Sequence, residues 1–189
     1  NRPGAGVTIS SNTVGSIDVS SSSTDYSHSF TAIHNDSATV VTIDNNLIGS
    51  ESTAESIHAS NACVTADVGQ HVAGIVNKAN TTNCQISNNI IENLINATVG
   101  SWSSQSGSPH GHLVAGIKVQ DGSNIIDGNT VQNISTSSED VRIEPVMGIC
   151  IESEVPNQEI TNNTIVDISN TQTVSGIHMS GIYYDGPSS

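Results

Sequence analysis

The chain has 189 residues, 34% of them hydrophobic and only 3% aromatic, with 4 Lys+Arg against 18 Asp+Glu for a net charge of −14. That balance excludes a core built on aromatic rings, and it argues against nucleic acid and anionic membranes as partners, since both repel an acidic chain. No run of about 18 apolar residues occurs, so no membrane-spanning helix and no membrane insertion is expected.

Read in chain order, a short alternating segment, VTISSNTV at 7–14, returns four times. It reappears as VTIDNNLI at 41–48, CQISNNII at 84–91, NIIDGNTV at 124–131 and QEITNNTI at 158–165. Each copy carries an asparagine at the same place: Asn12, Asn46, Asn89, Asn129 and Asn163, with spacings of 34, 43, 40 and 34. A second element follows each copy: TAI at 31–33, AGI at 73–75, AGI at 115–117, MGI at 147–149 and SGI at 175–177. From each Ile of this element to the next Asn is 13, 14, 12 and 14 residues, whereas from Asn to Ile is 21, 29, 28, 20 and 14. One half of the unit is nearly fixed and the other absorbs the insertions, as in a rigid scaffold with loops on one side. Residues 50–70 and 96–112 are therefore expected to project from the same side.

Alternation of Ile or Val with polar residues over three to five positions fits half-buried strands and is too short for amphipathic helices. Ile9, Ile43, Ile86, Ile126 and Ile160 are expected to point inward, followed by Val14, Ile48, Ile91, Val131 and Ile165. Such strands cannot bury a face alone. Stacked in parallel about 4.8 Å apart, they form columns of like residues. The repeated Asn suits a tight turn, where it tolerates the left-handed conformation, and its amide can bond to its neighbours up the column. The fold expected is all-β: a right-handed parallel β-helix of about five coils with long loops on one side. It forms a single domain over 1–189, either a mature secreted product or a segment of a longer β-helix.

The unit, Ile-x-x-Asn followed by Gly-Ile, resembles the parallel β-helix repeat of the pectin-lyase-like superfamily over residues 7 to 184, nearly the whole chain. The resemblance implies that the Asn ladder lies between the second and third sheets and that the Gly-Ile strand belongs to the first. It also implies that the outer face of that first sheet carries the catalytic groups of lyases and hydrolases. By register, the outward positions one step past the Ile are His34, Val76, Lys118, Cys150 and His178. Three steps past stand Asp36, Lys78, Gln120, Glu152 and Ser180. Lys118, Cys150, Glu152 and His178 are thus the candidate catalytic cluster, on one solvent-facing strip. A lyase would need a base beside a neutralised carboxylate, often with Ca²⁺ or Arg; a hydrolase would need two carboxylates at a set separation. Neither motif is intact.

Three further features bear on chemistry. His110 and His112, in the loop SPHGH at 108–112, form a candidate metal pair. Trp102, in the same loop, is a candidate stacking platform for a sugar. Of the three cysteines, Cys84 falls in an inward column with Val7 and Val41, and a bridge to Cys63 is geometrically conceivable. Asn-x-Ser/Thr sequons at Asn35, Asn80, Asn96, Asn133 and Asn162 are no more than this composition gives by chance.

Scarce Lys and Arg, few aromatics and no intact catalytic motif together point to a non-enzymatic structural or surface-interaction β-helix, secreted or at the cell surface. It would be an adhesin or fibre segment, its partner itself by end-to-end stacking or further coils of a parent chain. The alternative is a polysaccharide lyase or glycoside hydrolase, or a fragment of one, working on the outer Gly-Ile face. No cofactor is called for beyond Ca²⁺ or another divalent metal in that alternative.

Overall fold

The computed structural model describes residues 6–25, 28–37, 39–61, 69–80, 83–98, 113–137, 145–172 and 178–187. The first repeat supplies β1 (Val7–Ser10), β2 (Thr13–Val14), β3 (Ile17–Ser21) and β4 (Phe30–Asn35). The second supplies β5 (Val41–Asp44), β6 (Leu47–Ile48), β7 (Ile57–Asn61) and β8 (His71–Asn77). The third has β9 (Cys84–Ser87), β10 (Ile90–Thr98) and β11 (Leu113–Val119), and the fourth β12 (Asn124–Asp127), β13 (Thr130–Thr136) and β14 (Val146–Ile151). The last contributes β15 (Glu159–Thr161), β16 (Thr164–Asn170) and β17 (Met179–Tyr184). No described residue is helical.

Every strand pairs in parallel with the equivalent strand of the next repeat, which gives three sheets. The first sheet runs β1-β5-β9-β12-β15, the second runs from β2 and β3 through β6 and β7 to β10, β13 and β16, and the third runs β4-β8-β11-β14-β17. Three parallel sheets wrapped around one core are the arrangement of a β-helix or solenoid, as the spacing of the repeats predicts. The predicted columns form. Ile9, Ile43, Ile86, Ile126 and Ile160 stand in register in the first sheet. Val14, Ile48, Ile91, Val131 and Ile165 do so in the second. The inner members Ile43, Ile86, Ile126, Ile48, Ile91 and Val131 are almost wholly buried. Cys84 joins that core in the column of Val41, as expected; Cys63 and any bridge to it fall outside the described residues.

The asparagine ladder is continuous. Each Asn donates from Nδ2 to Oδ1 of the next: Asn12 to Asn46, Asn46 to Asn89, Asn89 to Asn129 and Asn129 to Asn163, all at 2.9 Å. The same oxygens accept the backbone N–H of the preceding ladder residue at 2.9–3.0 Å. The turn differs in detail from the sequence reading. The left-handed residue is not the ladder Asn but the one before it: Ser11, Asn45, Asn88, Gly128 or Asn162. That residue takes the strained backbone, which leaves the ladder Asn free to point its amide inward. A second, shorter ladder, not foreseen, joins Asn35 to Asn77 and Asn77 to Asn124 at 2.6 Å each, and Asn124 to Gln158 at 3.1 Å.

The glycine of the Gly-Ile element has a packing reason. In β11, Val114, Ile117 and Val119 join the central core while Ala115 faces the opposite way, so the strict alternation slips at Gly116. A Cβ there would lie 2.5 Å from Val131, one on Gly74 2.7 Å from Ile91, and one on Gly148 2.6 Å from Ile165. Only a bare Cα lets the third sheet close onto the second.

The insertion segments are not equivalent loops throughout. Residues 57–61 are strand β7 and residues 96–98 end strand β10, paired with each other in the second sheet. Residues 62–68 and 99–112 follow the register partners Asn61 and Thr98, and themselves lie outside the described residues.

Candidate functional site

The outer face of the third sheet, which holds the Gly-Ile strands and is the first sheet in the order of the family the repeat resembles, is where the sequence places candidate chemistry, and the register brings part of that cluster together. Lys118 of β11 stands opposite Cys150 of β14, with Val76 and His34 on the neighbouring strands in the same row. Glu152 follows β14 directly, two residues past Cys150. Its Oε1 takes the Lys118 ammonium at 3.0 Å and lies 3.7 Å from the Cys150 thiol. Its Oε2 accepts the Gln120 side-chain amide at 3.1 Å. Both carboxylate oxygens are therefore engaged by donors from the same face. Gln120 was not among the predicted site residues, although its place three steps past Ile117 puts it opposite Glu152.

His178 does not belong to this cluster. Ile149 pairs with Ile182, not with Ile177, and the residue opposite Cys150 is Tyr183. The chain contains two Gly-Ile pairs five residues apart, and the sheet uses the second. His178 stands just ahead of β17, exposed, on the far side of Met179 from that row. Length gave a usable signal: from Asn163 to Ile182 is 19 residues, close to the 20 and 21 of the compact repeats, whereas Ile177 gives 14.

Nor is the face a solvated strip. Lys118 is 6% exposed and Cys150 is wholly buried. Leu113, Ala115, Met147 and Cys150 form a second apolar cluster against Tyr183, outside the central core. The strands explain this. LVAGIKV and VMGICI are apolar on both sides, the pattern of a sheet covered on two faces rather than one.

A cavity of about 380 Å³ opens over this sheet, and Lys118, Gln120 and Glu152 line it with His34, His71 and Lys78. Lys78 and Lys118 are the only lysines in the sequence, so both lie at one place in a chain of net charge −14. Glu152 is the only carboxylate among the described residues that line it. The arrangement can hold a polar or anionic group through Lys78, the histidines and the Gln120 amide. Glycoside hydrolysis needs two carboxyl groups about 5 to 9.5 Å apart, and Glu152 supplies one among the described residues. Lys118 and Glu152 face each other there as an ion pair at 3.0 Å.

The candidate metal residues His110 and His112 and the candidate sugar platform Trp102 lie outside the described residues. Among the described residues, no group of three or more His, Cys, Asp or Glu is arranged to hold a metal ion. No family model, curated protein or solved structure matches the chain.

Proposed function

We propose that this chain is a right-handed parallel β-helix of about five coils, of the pectin-lyase-like kind, that serves outside the cell as a structural or surface-interaction module rather than as an enzyme. The observation that carries this reading is the state of the outer third sheet. The groups that would have to perform chemistry there are tied to each other: Glu152 by Lys118 and Gln120, with Cys150 sealed beside them. A carboxylate whose two oxygens are occupied holds a face together more readily than it removes a proton.

A second reading stays in view because one specific observation favours it. Both lysines of a strongly acidic chain line the same cavity, which is a place for an acidic saccharide and hence for a lyase. The experiment that separates the two is a screen of the purified chain on plant, algal and animal polysaccharides, followed by reducing-end release and by absorbance of unsaturated products. The module reading expects no turnover on any of them. Turnover that Lys118→Ala reduces by orders of magnitude while the melting curve still shows a folded protein would overturn it.

A further inference from the structure

Two acceptor motifs for N-linked glycans fall on asparagines that the fold has to bury, and we infer that this chain reaches the outside by a route that attaches no glycan to asparagine. The inference rests on the reading that the protein serves outside the cell. Asn-x-Ser/Thr occurs at Asn35, Asn80, Asn96, Asn133 and Asn162. The motif at Asn80 runs on into residues outside the described ones. The fold divides the others. Asn133 and Asn162 are exposed, whereas Asn35 is 5% and Asn96 0% exposed. Asn133 stands at a left-handed bend of β13, where an attached sugar would lie in solvent.

Asn96 decides the matter. It stands in the second sheet in register with Ala59 on one side and Thr136 on the other. Its Oδ1 accepts the Gln70 side-chain amide at 2.7 Å. Its Nδ2 donates to the Gln70 carbonyl at 2.7 Å and to the Leu113 carbonyl at 3.1 Å. Both Nδ2 hydrogens are therefore committed, and Gln70 is itself fully buried. Glycan transfer forms a bond from Nδ2 to the anomeric carbon of the sugar. It breaks the bond from that carbon to the diphosphate of the lipid-linked donor, which leaves with the electron pair, and Nδ2 gives up one proton. A modified Asn96 would keep a single N–H for two buried carbonyls, and would bring a bulky, hydrated chain into a site with no exposure. Asn35 repeats the conflict, since its Nδ2 donates to Asn77 Oδ1 at 2.6 Å in the shorter ladder. In a glycosylating secretory lumen the transfer acts on the chain as it enters, before the repeats have stacked. Burial in the finished fold comes too late to protect Asn96, so only a route without the transferase lets every molecule fold.

Secretion of the chain from a eukaryotic cell, compared with export of the same chain from a bacterium that attaches no such glycan, tests this. The bacterial product should fold, with the circular dichroism of strands and a cooperative melt. The eukaryotic cell should retain most of the wild type, and mass spectrometry of the retained material should find glycan on Asn96. Ser37→Ala and Thr98→Val together remove both buried acceptors and leave both asparagines in place. That double variant, first shown to fold from the bacterium, should be released several-fold more than the wild type. Ser135→Ala removes the exposed acceptor at Asn133 and should rescue nothing. Wild type made while synthesis of the lipid-linked donor is inhibited gives the same comparison without any substitution, and it too should be released folded. Wild type released folded in the same amount as the double variant, with or without glycan on Asn96, would overturn the inference, as would rescue by Ser135→Ala. Polysaccharide turnover by the folded chain would instead remove only the non-enzymatic reading, since the fate of Asn96 does not depend on it.

Discussion

Asn89→Ala should be among the most damaging single changes in the molecule, and its cost can be worked from its contacts. The side chain is fully buried. It donates to Asn129 Oδ1 at 2.9 Å and to the Ile43 carbonyl at 3.0 Å, and accepts the Asn46 backbone N–H at 3.0 Å and the Asn46 Nδ2 at 2.9 Å. Alanine removes all four. The Asn46 amide keeps the Ile9 and Asp44 carbonyls, so its loss is partial. The Asn46 N–H and the Ile43 carbonyl lose buried partners, at roughly 1–3 kcal/mol each, so about 4 kcal/mol in total is expected. Asn12 occupies the same ladder position in the first repeat, exposed, donating to Asn46 and to the Ser10 carbonyl. Asn12→Ala should cost only about 1 kcal/mol, since water replaces what is lost. A gap of about 3 kcal/mol corresponds to about 6–12 °C in Tm for a chain of this size. Urea unfolding followed by circular dichroism and fluorescence together would measure it and check that the two transitions coincide. The reasoning fails if the two variants lie within about 1 kcal/mol of each other.

Two further outcomes are expected. Gly116→Ala should cost about 1–3 kcal/mol, because its methyl would meet Val131 and the Gly148 carbonyl, whereas Gly181→Ala, with nothing within 4 Å, should be near neutral; equal melting temperatures would discount the close approach of the second and third sheets. Asp127 is held below its ordinary 3.8, first by the Thr161 hydroxyl at 2.6 Å and then by the Asn162 amide at 2.8 Å. A depressed carboxyl contributes stability that is complete above 3.8 and lost as pH falls through the lowered value. Wild type and Asp127→Asn should therefore differ in Tm near neutrality and converge in acid, and a gap that stays constant down to pH 2 would contradict this.

Much of the fold was legible because the core is made of columns of one residue type. A strand whose Ile must sit above another Ile leaves a period in the sequence, and a buried amide that must bond upward and downward leaves an Asn at every repeat. The candidate site was legible only in part, for reasons that are equally physical. Lys118, Cys150 and Glu152 share a face because register is fixed by the Ile column they flank. His178 was misplaced because two Gly-Ile pairs compete for the last strand, and only the length of chain between Asn163 and Ile182 distinguishes them. The covering of that face follows from apolar residues on both sides of β11 and β14. Attention to Ile117 and Ile149 alone hides it, because Ala115, Met147 and Cys150 lie on the opposite side.

The direction of the hydrogen bonds also decides how the molecule meets force. In all three sheets they run from one repeat to the next, along the line of stacking, as does the asparagine ladder. Tension between the two ends would load the outermost turn first and break its bonds before those beneath it are strained. Successive ladder residues are 34, 43, 40 and 34 positions apart. Each turn that peels away would release about 115–145 Å of extended chain. Stretched this way, the protein would lengthen in discrete steps of unequal size, the larger ones from its middle, and keep the remaining turns folded while it does so.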